Sequence, residues 1–198
     1  MLELLKPLAA LLVALPTTWA TPQPETPKQR EARIETIVEA DIAAVTASVV
    51  PETQHVAILF ATIAIQRNET GFDYAVHAGL PSAIGSSGGG KAKCLGQLET
   101  WPGNRLLTPE QWNSLEGTDL AATTRCAAAS VAYLWYHAER CLRRDEPKET
   151  RWTAPLTDDE VLRLFAAYGK GHCAAPQPSN ERRLKSYRRL RAALEADS

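Results

Sequence analysis

The sequence lacks a strong net charge of either sign, a regular strand pattern and an internal repeat. Its 22 basic and 23 acidic residues leave a formal net charge of −1, which argues against a dedicated nucleic-acid-binding protein. The four histidines are scattered without the spacing of metal ligands, so we predict no metal and no cofactor. Beyond the N-terminus, no stretch is long and apolar enough to span a bilayer.

The cysteines do not include a close pair of the kind that binds zinc or forms a redox motif. They are spread along the chain instead, at Cys94, Cys126, Cys141 and Cys173. In an oxidising compartment we expect two disulfides. Cys126 and Cys141 share a predicted helix, in which fifteen residues span about 22 Å, too far for a bond between them. Cys94 is therefore expected to pair with Cys126 or with Cys141.

A short apolar run at the N-terminus predicts a secretory signal peptide over residues 1–20. Lys6 precedes the apolar residues 8–15, and the small residues Thr18 and Ala20 occupy the usual positions before a cleavage point. The run is short for a membrane span, and an uncleaved anchor is the alternative. We therefore expect a secreted or periplasmic protein. Residues 21–28 are rich in proline and polar residues and predict a linker, which leaves residues 29–198 as one domain.

Apolar spacing and capping residues predict a mainly α fold with a small irregular β or loop region. Helices are expected to begin after Thr26, Thr108, Asp119 and Thr157, and the final helix covers residues 179–197. That last helix places a set of basic residues on one face, Arg182, Arg183, Lys185, Arg188, Arg189 and Arg191. We interpret this face as solvated, with weak attraction to an anionic surface as the alternative.

Glu69 is the candidate catalytic residue. An apolar run over residues 56–65 predicts a buried helix, and Gly71 suits the left-handed position just past its end. Glu69 then lies in or near the last turn, beside an apolar wall and the negative end of the helix dipole. Both effects disfavour the ionised carboxylate. A carboxylic acid that keeps its proton is the group that glycoside cleavage requires.

Four segments in order resemble lytic transglycosylases of the lysozyme-like superfamily. Residues 69–72 (Glu-Thr-Gly-Phe) resemble the Glu-Ser-Gly-Phe segment of that family, and residues 93–98 (Lys-Cys-Leu-Gly-Gln-Leu) resemble its Gly-Leu-Met-Gln-Leu segment. Residues 129–134 (Ala-Ser-Val-Ala-Tyr-Leu) are similar to its Ala-Gly-x-x-Tyr-Leu helix, and residues 164–171 to its Ala-Ala-Tyr-Asn-Ala-Gly segment. The span covers most of the predicted domain.

The resemblance implies a lysozyme-like domain that cleaves the β-1,4 bond between N-acetylmuramic acid and N-acetylglucosamine in peptidoglycan. Glu69 would act first as general acid and then as general base. Gln97, Gly96 and Leu98 would line the substrate groove, and Tyr168 would orient Glu69. The partner would be the glycan strand, bound by a monomer. Gly96 stands where the family usually has Met, and Gly169 where it has Asn, which shortens two side chains near the proposed site.

The number of carboxylates separates the candidate mechanisms. Hydrolysis by a muramidase normally needs a second carboxylate, and no acidic residue occurs between Tyr74 and Leu98. Asp73 and Glu99 are the nearest candidates, and we interpret both as structural. One acid suffices if the C6 hydroxyl of the substrate replaces water, and we therefore favour the 1,6-anhydro product. A non-catalytic cell-wall binder and an unrelated disulfide-bonded helical protein remain as alternatives. His77 is expected at the surface, with the groove as its second possible place.

Overall fold

The computed structural model describes residues 5–14, 24–80, 92–99 and 106–196, and these residues are mainly helical. Two short strands, β1 (Ala92–Lys93) and β2 (Leu98–Glu99), pair antiparallel. Eight α-helices and one 3-10 helix account for the other elements of the described chain. The α-helices are α1 (Leu5–Ala14), α2 (Pro27–Thr46), α3 (His55–Thr70), α4 (Tyr74–His77), α5 (Pro109–Asn113), α6 (Leu120–Cys141), α7 (Asp158–Lys170) and α8 (Pro178–Ala196). The 3-10 helix covers Glu52–Gln54.

The predicted helix starts are confirmed by their caps. Thr26, Thr108 and Thr157 each open a helix with a capping box, in which the hydroxyl accepts from the backbone and the third helical side chain bonds back. Asp119 accepts from the backbone N–H of Ala122 at the start of α6. The predicted linker is shorter than expected, because Pro27 already forms the first turn of α2.

Helix α3 is the centre of the hydrophobic core. Its residues 57–66 are all buried, and it packs against α2, α6, α7 and α8. A helix that is apolar on every side can only be accommodated in this way, since no face is left for water. The mainly helical class predicted from the sequence is therefore confirmed.

Residues 5–14 of the segment predicted as a signal peptide form α1, which packs against α2 and α8. Leu8 and Leu12 are buried there. The predicted cleavage residues Thr18 and Ala20 lie outside the described part of the chain, and cleavage stays a prediction. None of the described helices combines the length and apolar character needed to cross a membrane.

Two disulfides join the motif-bearing segments to α6. Cys94 in the β1–β2 turn bonds to Cys126, and Cys141 at the end of α6 bonds to Cys173 beyond α7. The structure thereby decides between the two partners predicted for Cys94. Disulfides of this kind favour an extracellular or periplasmic environment. The glycine-rich residues 81–91 lie outside the description.

Candidate functional site

Glu69 lies in the last turn of α3, and Gly71 ends the helix in the left-handed conformation, with φ of 59°. Glycine adopts this conformation without the steric cost of a side chain, so it suits the end of the helix. The Glu69 side chain is 28% exposed, and it forms an ion pair with Arg183 of α8. Glu69 is thus partly accessible to solvent while its charge is matched by a guanidinium group.

Arg183 was predicted to belong to a solvated basic face, and this prediction is wrong. Its side chain is only 12% exposed, and its Nη1 donates to the carbonyl oxygen of Phe165 at 3.1 Å while Nη2 donates to Glu69. The sequence carried a signal for this position. Residues 183, 187, 190 and 194 follow the i, i+4, i+7, i+11 spacing of the face that packs inward.

Gly169 provides the space that Arg183 occupies. A Cβ atom at Gly169 would lie 3.2 Å from Nη1 of Arg183, closer than most such contacts in proteins. The glycine that departs from the family pattern therefore accompanies the arginine that reaches Glu69. Gly169 lacks a side chain, as predicted, but the guanidinium group of Arg183 occupies the adjoining space.

Tyr168 connects α7 to the turn between the two strands. It is buried, and its hydroxyl donates to the carbonyl oxygen of Gly96. Burial first, and then the negative charge of Glu69, raise the pKa of Tyr168 well above its ordinary value. The phenol is therefore a neutral hydrogen-bond donor close to the Glu69 carboxylate. The Tyr133 ring of α6 packs edge-on against it, with ring centroids 5.1 Å apart.

Gly96 is explained by close packing against α6. A Cβ atom there would overlap Oγ of Ser130 and would lie 3.1 Å from the Tyr168 hydroxyl oxygen. Gly96 is itself buried. The side chain that is shortened at Gly96 therefore leaves no open space, because Ser130 and Tyr168 fill it.

Gly96→Ala is expected to lower the free energy of unfolding by about 1–2 kcal/mol, as overpacking does elsewhere. In the Gly96→Ala/Ser130→Ala double variant the Oγ atom that clashes is absent, so part of the lost stability should return. Denaturant unfolding of the wild type, the two single variants and the double variant gives the coupling between the sites. Strictly additive losses would contradict this close contact.

The remaining predicted groove residues differ in exposure. Leu98 is 3% exposed and belongs to the hydrophobic core, so in the free protein it supports the turn and offers no surface to a substrate. Gln97 is partly exposed, and its Nε2 donates to the carbonyl oxygen of Cys94 at 3.1 Å. Asp73 begins α4, where its carboxylate accepts from the backbone N–H groups of Ala75 and Val76.

His77 is buried, which corrects its predicted surface position. The Thr123 hydroxyl donates to the Asp119 carbonyl oxygen, so it accepts from Nε2 of His77 at 2.9 Å. Nδ1 of His77 then faces Nη1 of Arg33 at 3.4 Å as an acceptor. Burial, followed by the charge of Arg33, lowers the pKa of His77 to about 3. The ring is a neutral structural link between α2, α4 and α6.

All four segments that carry the family resemblance meet at this place. Glu69, Gly96, Ser130 and Tyr168 come from α3, the strand turn, α6 and α7, and Arg183 of α8 completes the cluster. In the described part of the chain, no three His, Cys, Asp or Glu side chains are grouped as a metal site would require. Comparison with protein-family models, with curated proteins and with solved structures gives no match.

Proposed function

We propose that the protein is a lytic transglycosylase of lysozyme-like fold that cleaves the N-acetylmuramic acid–N-acetylglucosamine bond of peptidoglycan. The observation that carries the proposal is the convergence of Glu69, Tyr168 and the Gly96 turn, which lie far apart in sequence. A chance match of short motifs gives no reason for the matched residues to meet in space. The partly exposed carboxylate provides the access that a polymeric substrate needs.

A single carboxylate is enough for the chemistry. Glu69 gives a proton to the glycosidic oxygen as the C1–O bond breaks, and it then takes a proton from the C6 hydroxyl of the muramic acid. That oxygen bonds to C1, the 1,6-anhydro product forms, and Glu69 regains its starting state. The use of Asp73 as a helix cap supports this route over hydrolysis, which needs a second free carboxylate.

Arg183 has two consequences for the proposal. Its guanidinium group occupies one oxygen of the Glu69 carboxylate in the free protein, so substrate must separate the ion pair before that oxygen can transfer a proton. The same ion pair favours the second candidate function, a non-catalytic binder of cell-wall glycan. In that case the pair would hold the groove in shape and no bond would be cleaved.

Glu69→Gln is expected to reduce the release of soluble muropeptides from insoluble peptidoglycan by about 100-fold or more, because the amide cannot transfer the proton. Mass spectrometry of the products from the wild-type protein should show 1,6-anhydro ends. The matched control is Glu139→Gln, which makes the same change at an exposed position of α6 and should release muropeptides at the wild-type rate.

The possible outcomes separate the candidates. Muropeptides with reducing ends would show that the protein is a hydrolytic muramidase and not a lyase. Wild-type protein that sediments with cell walls and releases nothing would favour the binder. Undiminished release by a folded Glu69→Gln protein would remove Glu69 from the mechanism.

A further inference from the structure

The turn between β1 and β2 contains two residues in a backbone conformation that side chains disfavour. Cys94 has a φ of 53° and Gln97 has a φ of 49°, and both are non-glycine residues. In this left-handed region the Cβ atom approaches the following carbonyl oxygen too closely, so such residues persist only where their surroundings hold them in place. The turn over residues 94–97 therefore depends on contacts that keep it in this form.

Three kinds of contact hold the turn. The backbone N–H of Gln97 donates to the carbonyl oxygen of Cys94 at 3.0 Å, and Nε2 of the same residue donates to that oxygen at 3.1 Å. The Tyr168 hydroxyl donates to the carbonyl oxygen of Gly96. The third contact is the disulfide from Cys94 to Cys126 of α6, whose two residues are each 2% exposed. This contact is covalent, and it acts directly on a residue in the left-handed conformation.

Direct contacts connect the turn with Glu69. Tyr168, which bonds to the turn, is followed by Gly169, and the missing Cβ atom of that glycine leaves room for Arg183. Arg183 forms the ion pair with Glu69. A turn that moved away from α6 would lose the hydrogen bond from Tyr168. The conformation of residues 94–97 therefore affects the side of the proposed site that α7 and α8 form.

We propose that the Cys94–Cys126 disulfide is a positioning element for the proposed reaction. It holds residues 94–97 in the form in which the Gly96 carbonyl oxygen accepts from Tyr168. The inference rests on the proposed function, because it takes the turn to line the glycan groove. It gives the buried disulfide a role beyond stability, so the site would be complete only once this bond has formed.

The test compares two double variants that both lack the bond. Cys94→Ala/Cys126→Ala (the alanine variant) keeps a side chain at the left-handed position. Cys94→Gly/Cys126→Ala (the glycine variant) places there a residue that adopts this conformation freely. Hydrogen exchange of the Gln97 amide, which bonds to the carbonyl oxygen of residue 94, reports on the turn without any substrate. The amide should exchange about 10-fold faster in the alanine variant than in the glycine variant, which is the order of the cost of one left-handed side chain.

Cleavage should follow the same order. The alanine variant should release soluble muropeptides from peptidoglycan about 10-fold or more slowly than the wild type, because a misplaced turn no longer fits the substrate. The glycine variant should stay within about 3-fold of the wild type, since its turn can form without the bond. Both variants lose the same cross-link, so a purely stabilising disulfide would not separate them.

The matched control is Cys141→Ala/Cys173→Ala. Both disulfides join residues 32 positions apart, so loss of either frees the unfolded chain to the same extent. This control should lower the midpoint of denaturant unfolding about as much as the glycine variant does. Its Gln97 exchange and its muropeptide release should stay within about 3-fold of the wild type, because the turn keeps its own bond to α6.

Equal exchange and equal release in the alanine and glycine variants would overturn the positioning role, and so would release that does not follow exchange. A control that loses release as strongly as the alanine variant would show that both bonds act only through general stability. If the alanine variant does not fold, the glycine variant remains the test, and a loss of release of about 10-fold in it would contradict the proposal. If the exchange rates differ as expected but the wild type releases no muropeptides, the cleavage proposal fails and the role of the bond in shaping the turn stands.

Discussion

Asp41→Asn is expected to make the protein more stable at pH 9 than the wild type, and to have little effect at pH 4. Asp41 lies on the apolar face of α2 and is completely buried. Burial raises its pKa from 3.8 to about 8, against a smaller lowering by the hydrogen bond from Gln66. The native state therefore keeps the proton over a pH range in which the unfolded chain releases it.

The sign of the effect follows from proton binding. Below pH 4 both states are protonated, and Asp41 has no pH-dependent influence. As the pH rises toward 8, the unfolded chain ionises freely, so native stability falls by about 1.4 kcal/mol per pH unit, or about 5 kcal/mol over the window. An asparagine does not ionise, and its stability should not show this slope.

The geometry around Asp41 supports a protonated acid. Nε2 of Gln66 donates to Oδ1 at 2.8 Å, while Oδ2 of Asp41 and Oε1 of Gln66 are both buried without a partner among the described residues. Two buried acceptors without a donor are unfavourable, whereas protonation of Oδ2 adds a donor to this site. The side-chain amide introduced by Asp41→Asn also supplies a donor, and it keeps an oxygen that can accept from Nε2 of Gln66.

Denaturant unfolding between pH 4 and pH 9 measures the difference. Asp159→Asn is the matched control, since that side chain is 75% exposed and should change stability by under about 1 kcal/mol at any pH. A constant difference between wild type and Asp41→Asn across the range would mean that Asp41 carries no proton in the native state.

Arg143→Ala is expected to lower the free energy of unfolding by about 3–5 kcal/mol, because it leaves the Glu160 carboxylate unpaired in a mostly buried site. Nε and Nη2 of Arg143 donate to the two carboxylate oxygens of Glu160 at 2.5 and 2.9 Å. The same guanidinium group donates to the carbonyl oxygens of Arg151, Ala154 and Pro155. It therefore fixes the loop between α6 and α7 as well as the start of α7.

The pair also predicts how the wild type responds to acid. Burial alone would raise the Glu160 pKa, but hydrogen bonds from Arg143 and Thr157 outweigh it and lower the pKa to about 2. A depressed pKa gives stability that is present above the ordinary value of 4.5 and is lost as the pH falls through 2. Glu160→Gln should show less of this acid loss.

The control for Arg143→Ala is Arg163→Ala. Arg163 pairs with Asp159 on the surface of α7, where the two side chains are 46% and 75% exposed. Loss of such a pair should change stability by under about 1 kcal/mol in thermal or denaturant unfolding. Equal effects of the two variants would mean that the Arg143 contacts do not stabilise the fold.

The helices and their ends could be predicted because their signals are local. Thr26, Thr108 and Thr157 cap helices through residues three positions away, and Gly71 ends α3 through its own backbone. The meeting of Tyr168 with the Gly96 turn followed from a resemblance in motif order, since no local pattern states which helices pack together.

The ion pair of Glu69 with Arg183 depends on the crossing of α3 and α8, residues 114 positions apart. In the sequence, Arg183 is one of several basic residues on the last helix. Only its spacing relative to residues 187, 190 and 194 indicates that it faces inward. Asp41 was missed for a related reason. Asp41 interrupts an apolar pattern that continues on both sides of it, and it is buried together with its apolar neighbours.

The order of the disulfides affects how the chain can mature. The first two cysteines along the sequence bond to each other, Cys94 to Cys126, and so do the last two, Cys141 to Cys173. When a chain emerges N-terminus first into an oxidising compartment, Cys126 follows Cys94 before the other two cysteines appear, and Cys173 then follows Cys141. Oxidation of the cysteines in the order in which they emerge would then give the native pairing.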